Sequence, residues 1–278
     1  MEIGITIGSY ERYGADRYRF MREDGFTCGD YGMMDSSHPL YQCNGEDLEA
    51  IARAERAKAE EAGIRISQVH GPWRWPPRDG TPEEREERLE KMKRSIRATR
   101  LLGCDYFVIH PIMPFGTQSD PDPELLFRMS LEFFRRLLPT AHQYNVTICL
   151  ENMPMPALSL ATPAQILAFV KAVDDPLFRI CLDTGHSAVF RIQPADALRE
   201  LREYVKVLHL HDNNGTRDEH RFPYTGIIDW KAFSEALQET GFSGVVSLET
   251  GASEALESPA HRAALKLLGL MARQIAGQ

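Results

Sequence analysis

The amino-acid sequence predicts a single (β/α)8 TIM barrel that comprises residues 1–278. The first observation is an alternation along the chain between short apolar runs rich in β-forming residues and segments with helical periodicity, which is typical of parallel sheets. The second is the number of apolar runs, which is eight. The third is the length, because a TIM barrel typically needs about 250 residues. A doubly wound open sheet is the alternative architecture, but no Gly-x-Gly-x-x-Gly motif follows the first run.

The predicted strands are these eight apolar runs. They are Ile3–Ile7, Phe26–Tyr31, Ile64–Val69, Tyr106–Ile109, Val146–Leu150, Phe178–Leu182, Val205–Leu208 and Val245–Leu248. Each run is short enough to be a buried strand and is bounded by polar or glycine-containing segments.

The segments between the runs carry apolar residues at the three- and four-residue spacing of an amphipathic helix, as at Leu89, Met92 and Ile96. Glycine just after a helix favours the left-handed conformation that ends it. Four glycines stand at such positions before predicted strands, namely Gly25, Gly63, Gly103 and Gly241. Thr81-Pro82 and Thr162-Pro163 predict helix N-caps followed by proline in the first turn.

The charge balance bears on the class of partner. The net charge is −8 and the isoelectric point is about 5.6. Proteins that bind nucleic acid neutralise phosphates with clustered lysine and arginine, and this chain shows no basic stripe. We therefore expect no nucleic-acid partner.

The cysteine pattern predicts a reduced, cytoplasmic protein. The five cysteines are odd in number and include no Cys-x-x-Cys pair, and Cys149 and Cys181 lie inside apolar runs. The amino terminus starts at once with a strand pattern and lacks the features of a signal peptide. No apolar run is long enough to span a bilayer, so we expect no membrane partner.

The third to eighth predicted strands each end at a side chain that can bind a metal ion. In chain order these side chains are His70, His110, Glu151, Asp183, His209 and Glu249. Because the carboxyl ends of the strands of a TIM barrel meet at one rim, the six side chains should converge there. Converging carboxylates repel one another unless a cation joins them. Mixed nitrogen and oxygen ligands suit Zn, Mn, Co or Mg, and the sequence therefore predicts a divalent-metal site.

Five motifs make the chain resemble a known superfamily. They are Leu150-Glu151-Asn152, Leu182-Asp183-Thr184-Gly185-His186, His209-Leu210-His211-Asp212-Asn213, Gly226-Ile227-Ile228-Asp229-Trp230 and Gly244-Val245-Val246-Ser247-Leu248-Glu249. In this order they resemble the xylose-isomerase-like TIM barrel superfamily, which groups sugar isomerases and epimerases with the AP endonucleases of family 2. The resemblance extends from Ile3 to about Leu270, and its motifs are specific to the superfamily but not to one substrate.

The resemblance implies a metal-dependent isomerase or epimerase of sugars or sugar phosphates, acting in carbohydrate metabolism. The ligands of one divalent ion would be Glu151, Asp183, His209 and Glu249. The family pattern His-x-x-Asp favours His209 as the ligand, and His211 is the alternative. Glu151 and Glu249 would also be catalytic, since paired glutamates in related epimerases exchange a proton with opposite faces of the carbon beside the carbonyl, through an enediolate.

The resemblance also implies a small-molecule sugar substrate, either phosphorylated or not. His186 would contact a substrate oxygen, Arg217 falls where related epimerases carry a substrate-binding arginine, and His211 is a further candidate. Trp73 and Trp75 would either cover the sugar or close the barrel mouth or an oligomer contact. Dimers and tetramers are common among relatives, so a homo-oligomer is an open expectation.

The endonuclease branch is the main alternative. It uses three zinc ions held by nine residues, and the candidates here are His70, His110, Glu151, Asp183, His186, His209, Asp218, His220 and Glu249. The acidic net charge argues against this branch, because DNA binding depends on phosphate neutralisation. Another metal-dependent lyase or hydrolase on the same scaffold, and a binding protein without catalytic activity, are further alternatives.

Overall fold

The computed structural model describes residues 1–33, 38–42, 45–72 and 76–278. The strands in this part of the chain are β1 (Ile3–Thr6), β2 (Cys28–Gly32), β3 (Arg65–His70), β4 (Tyr106–Ile109), β5 (Thr147–Glu151), β6 (Phe178–Asp183), β7 (Val205–His209) and β8 (Val246–Leu248). Each observed strand overlaps one predicted strand.

The helices described in the structure cover the remaining regular segments. They are α1 (Arg17–Glu23), α2 (Pro39–Gln42), α3 (Gly45–Glu61), α4 (Pro82–Leu101), α5 (Pro123–Tyr144), α6 (Pro163–Val173), α7 (Thr184–Val189), α8 (Pro194–Leu201), α9 (Trp230–Glu239) and α10 (Ser258–Ile275). Two 3-10 segments, Ile7–Asp16 and Arg202–Tyr204, complete the connections after β1 and before β7. No helix within the described ranges is both long and apolar enough to cross a membrane.

The strands form one parallel sheet that closes on itself. Their order is β7-β6-β5-β4-β3-β2-β1-β8, and β1 pairs in parallel with both β2 and β8. On the other side, Leu210 N donates to Ser247 O at 2.9 Å and Glu249 N donates to Leu210 O at 3.0 Å, which joins β7 to β8. The predicted TIM barrel is therefore confirmed, and the doubly wound alternative is wrong because an open sheet would leave these two edges apart.

Several strands begin one or two residues later than the sequence predicted. Phe26, Ile64 and Val146 open predicted strands, but the backbone N–H of each donates to a carbonyl in the last turn of the preceding helix, at 2.9–3.0 Å. This is the bond that closes a helix ending in a left-handed residue, with an apolar residue packed against the helix end. These residues are apolar because they cover the helix end. In the sequence, such an apolar residue looks the same as the first residue of a strand.

The predicted helix ends are confirmed. Thr81 and Thr162 each form a capping box, with Glu84 and Gln165 respectively, and a proline follows each of them. The four predicted glycine caps have φ between 67° and 99°, a region that residues with a Cβ rarely adopt.

The strand period places the functional side chains above an apolar layer inside the barrel. Val108, Cys149, Cys181 and Val207 form a small buried cluster separate from the main core. Successive side chains of a strand alternate between faces, so the residue two positions further along each strand points the same way. Those residues are His110, Glu151, Asp183 and His209. The four cysteines whose side chains the structure describes are free and buried, as expected for core thiols.

Candidate metal centre

Four of the side chains at the barrel rim form a tight cluster of metal-binding atoms. One ligand atom from each of Glu151, Asp183, His209 and Glu249 lies within 4.8 Å of the others. These are the four residues that the sequence predicted as the ligands of one ion. The parallel register brings them together, since Asp183 pairs with His209 and Glu151 with Cys181.

One proton on His209 does not pair all the buried polar atoms of the cluster, whereas a cation would. Nδ1 of His209 lies 3.0 Å from Glu151 Oε1 and 3.2 Å from Glu249 Oε2, and the ring is fully buried. A single N–H cannot donate to both carboxylates. Oε2 of Glu249 is buried and makes no hydrogen bond within the described part of the chain. A cation among these atoms would satisfy all of them, so the residues fit a divalent metal.

The electrostatics of the cluster favour charged carboxylates. Burial raises the pKa of Glu151, but His209 and His110 outweigh this effect and hold the pKa well below its usual range. Burial likewise raises the pKa of Glu249, and His209 more than offsets it, so that the pKa is lowered. Both glutamates are therefore ionised at neutral pH, which is the state that binds a metal or accepts a proton.

His70 and His110 contact the second carboxylate oxygen of Glu151, and the ring of His70 also stacks on the ring of His209, with centroids 5.6 Å apart. Their Nε2 atoms are 3.3 Å and 3.0 Å from Glu151 Oε2, and the two nitrogens are 3.2 Å apart. Burial lowers the pKa of His110 to about 4, so this imidazole is neutral at physiological pH. The structure thus places both histidines where the sequence put further candidate ligands, around one shared carboxylate.

A second cluster stands beside the first. Ligand atoms of His186, His211, Asp218 and His220 lie within 4.8 Å of one another. Oδ2 of Asp218 is 3.3 Å from His186 Nε2 and 3.0 Å from His220 Nε2, and the rings of His211 and His220 stack at 4.0 Å. Nδ1 of His211 and Oδ1 of Asp218 are buried and form no hydrogen bond to any described residue. The cluster is therefore a second place where a cation could be held.

Histidine protons balance the carboxylates of the second cluster. Burial lowers the pKa of His186, but Asp183 and Asp218 outweigh this effect and raise the pKa to about 10. Burial also lowers the pKa of His220, whereas Asp218 and Glu249 raise it, again to about 10. Without a cation, the cluster is thus expected to hold protons that a metal ion would displace.

His211 links the two clusters. Its Nε2 lies 3.0 Å from Asp183 Oδ2, while the side-chain hydroxyl of Thr184 donates to its backbone oxygen at 2.8 Å. A Cβ at Gly185 would lie 1.9 Å from Cε1 of the His211 ring. The glycine of the Asp-Thr-Gly-His motif is therefore required by the close approach of this imidazole. His209 belongs to the first cluster and His211 to the second. The sequence did not predict His211 as a ligand in the second cluster.

The loop that carries Asp218 is anchored by the buried carboxylate of Asp212. The four groups that donate hydrogen bonds to it, at 2.8–3.3 Å, are the backbone N–H of Asn213, Gly226 and Ile228 and the Trp230 indole N–H. A Cβ at Gly226 would lie 2.1 Å from an Asp212 oxygen. The Gly-Ile-Ile-Asp-Trp motif is thus the partner of Asp212, and together they fix residues 213–229.

Replacing Asp212 with alanine is expected to destabilise the protein by about 3 kcal/mol or more, because each buried donor left unpaired costs about 1–3 kcal/mol. Trp230→Phe removes one donor and should cost markedly less. Urea unfolding followed by tryptophan fluorescence for Asp212→Ala, and by circular dichroism for both variants, provides the measurement. Equal midpoints for Asp212→Ala and the parent protein would contradict this role of the carboxylate.

The predicted substrate-binding residues fall into three groups. His186 and His211 are buried members of the second cluster, and Nδ1 of His186 lies 2.7 Å from Asn152 O. Arg217 is 77% exposed and pairs with Glu219, so its side chain lies on the surface of the loop in this structure. Trp73 and Trp75 lie outside the described residues.

Asp30 was not identified from the sequence. Its buried carboxylate lies 3.4 Å from His209 Nε2, on the opposite side of the ring from the glutamates. The sequence did contain a sign of its role, since Asp30 is an acidic residue inside the apolar run Phe26–Tyr31. A buried acidic side chain is costly unless it has a partner.

Comparisons with known proteins agree with this architecture. The chain is 30% identical over 190 residues to an uncharacterized protein of Methanocaldococcus jannaschii, over 65% of this chain and 63% of that protein. It is 27% identical over 169 residues to the inosose isomerase of Bacillus licheniformis, over 59% of this chain and 60% of that enzyme. The alignments thus span about three fifths of these relatives, and the chain is related to sugar isomerases.

Solved structures show the same fold. A crystal structure of D-psicose 3-epimerase in the presence of D-fructose superposes with a TM-score of 0.83 at 16% identity, over 100% of both chains. A crystal structure of IOLI protein with a binding zinc atom gives a TM-score of 0.75 at 19% identity, over 99% of this chain and 96% of that one. A family profile matches residues 19–273. The chain therefore belongs to the xylose isomerase-like TIM barrel family.

Proposed function

We propose that the protein is a divalent-metal-dependent isomerase or epimerase of small sugars or sugar phosphates. The observation that carries this proposal is the convergence of Glu151, Asp183, His209 and Glu249 at the barrel mouth, with ligand atoms within 4.8 Å of one another. The relationship to an inosose isomerase and the likeness to D-psicose 3-epimerase support the substrate class.

The four residues would hold one ion, and a bound zinc atom in the related IOLI structure supports zinc as one candidate beside manganese, cobalt and magnesium. When bound, such an ion would polarise the carbonyl of a ketose and the adjacent hydroxyl, which makes the neighbouring C–H more acidic. The chain itself must then supply a base on each face of that carbon.

Glu249 and Glu151 are the two bases in this proposal. The Glu249 side chain is 16% exposed, whereas that of Glu151 is 1% exposed and lies among histidine nitrogens. Glu249 is thus the more accessible to an incoming sugar. One glutamate would accept the proton from carbon on one face to give an enediolate, and the other would return a proton on the opposite face. His186, a buried member of the second cluster that also lies 3.6 Å from Asp183, would orient a substrate oxygen.

Metal analysis combined with isotope exchange tests the proposal. Protein purified without chelator should contain about one divalent ion per chain, and it should catalyse deuterium exchange from D2O into at least one of D-fructose, D-psicose, D-tagatose and an inosose. A chelator should abolish the exchange and added metal should restore it, because the polarising ion lowers the barrier to proton removal. Absence of a bound ion together with absence of metal-dependent exchange would contradict the proposal.

A phosphodiesterase of the AP-endonuclease type is the second candidate. It is favoured by the cluster of His186, His211, Asp218 and His220 beside the first site, together with His70 and His110 around Glu151. These groups could hold further zinc ions, up to three in total. Near three zinc ions per chain and metal-dependent nicking of a duplex with one abasic site would support this candidate. An uncut duplex at low salt with zinc present would contradict it.

A further inference from the structure

The predicted metal ligand His209 has a buried acidic neighbour on its other side. Asp30 lies on β2, paired in register with Gln68 of β3, and its carboxylate is almost completely buried. Its Oδ2 atom is 3.4 Å from Nε2 of His209. The side chain reaches His209 from β2, a strand that is not a neighbour of β7 in the sheet.

The two ring nitrogens of His209 face different groups. Nδ1 faces the glutamates at 3.0 Å and 3.2 Å, and Nε2 faces Asp30. In a neutral imidazole one nitrogen carries the proton and the other carries a lone pair. If Nδ1 binds a metal through its lone pair, the proton must be on Nε2, and Nε2 faces the Asp30 carboxylate 3.4 Å away.

Asp30 has no evident structural task that would explain its burial. Its Oδ1 atom makes no hydrogen bond, nor does Nε2 of Gln68 opposite it, as far as the described residues are concerned. A buried carboxylate that stabilised the strands would be expected to accept hydrogen bonds from them. A buried charge is costly unless it is paired, and the partner at hand is the His209 N–H.

We propose that Asp30 is a positioning residue whose carboxylate accepts a hydrogen bond from the Nε2–H of His209 and so directs the Nδ1 lone pair towards the metal. This inference rests on the proposed metal site. A carboxylate behind a ligating histidine fixes the tautomer and the ring orientation, and its loss typically weakens metal binding by about 10–100-fold. Asp30 would touch neither substrate nor metal.

Metal affinity tests the inference without any activity assay. Metal-free protein is titrated with Zn²⁺ or Mn²⁺ in competition with a chromophoric chelator. We expect Asp30→Ala to raise the dissociation constant by about 10–100-fold. Asp30→Asn should have a smaller effect, because the amide oxygen can still accept a hydrogen bond from Nε2–H. The control is Asp24→Asn, which removes another buried carboxylate that pairs with Arg262 far from the rim. It should lower the melting temperature and leave the metal affinity unchanged.

The tautomer of His209 gives a second readout. In ¹⁵N-histidine-labelled, metal-loaded protein, we expect a slowly exchanging Nε2–H signal that Asp30→Ala removes. Metal binding by the parent protein, with affinity and signal unchanged in Asp30→Ala, would overturn the inference and leave the metal site intact. If the parent protein binds no ion, the proposed function fails as well. If Asp30→Ala does not fold, Asp30→Leu, which has a branched shape similar to that of asparagine but no hydrogen-bond acceptor, decides by the same comparison.

Discussion

Replacing Glu249 with glutamine is expected to slow proton exchange between substrate and solvent by about 10²–10⁴-fold, the usual contribution of a general base. Glutamine has the same shape and retains an oxygen that can bind a cation, but it cannot accept a proton. The lowered pKa of Glu249 means that the parent side chain is ionised at neutral pH, which is the form that can accept a proton. Deuterium incorporation from D2O, measured by mass spectrometry at saturating metal, gives the rate.

The two epimers of a substrate make this experiment sharper. If Glu249 and Glu151 serve opposite faces, Glu249→Gln should block exchange from one epimer, while the other epimer still exchanges through Glu151. Glu151→Gln should show the reverse pattern. Glu254→Gln is the control, since Glu254 lies on the same loop as Glu249 but its side chain is 68% exposed. Parent-like exchange from both epimers in Glu249→Gln would rule out this residue as a base.

Replacing Asp183 with asparagine is expected to remove the stabilisation that a bound metal confers. A ligand present at 1,000 times its dissociation constant adds about 4 kcal/mol to the stability of the folded state. For a chain of this size, that corresponds to a rise of roughly 10 °C in melting temperature. Asp183 is fully buried within the first cluster, so loss of its charge should weaken metal binding strongly.

The choice of asparagine separates metal binding from folding. Oδ1 of Asp183 caps α7 by accepting a hydrogen bond from His186 N, and asparagine is an equally good cap. The metal-free variant should therefore melt close to the metal-free parent protein, and added Zn²⁺ or Mn²⁺ should stabilise only the parent. Asp229→Asn alters the matching cap of α9 and should keep the metal response. A full metal-induced shift in Asp183→Asn would contradict the assigned ligand.

The barrel and its rim could be predicted because both depend on local periodicity. Strands of a parallel barrel all end at one face, so the residue that follows each apolar run must lie at the mouth, whatever the rest of the chain does. For this reason Glu151, Asp183, His209 and Glu249 could be placed together before any distance was known. The capping residues Thr81 and Thr162 were equally predictable, since a cap involves only its own turn.

The sequence by itself determined the architecture and the rim, because these follow from patterns within single strands and turns, and the resemblance to the superfamily selected the four clustered ligand candidates. Only the tertiary structure decided which groups meet across the barrel. It placed His211 against His220, put the exposed Arg217 beside Glu219, and brought Asp30 to within 3.4 Å of His209 Nε2. The contact between Asp30 and His209 joins β2 to β7, which are far apart in the chain, and the other two contacts form within the loop that follows β7. They depend on barrel closure and side-chain direction, which no local pattern encodes.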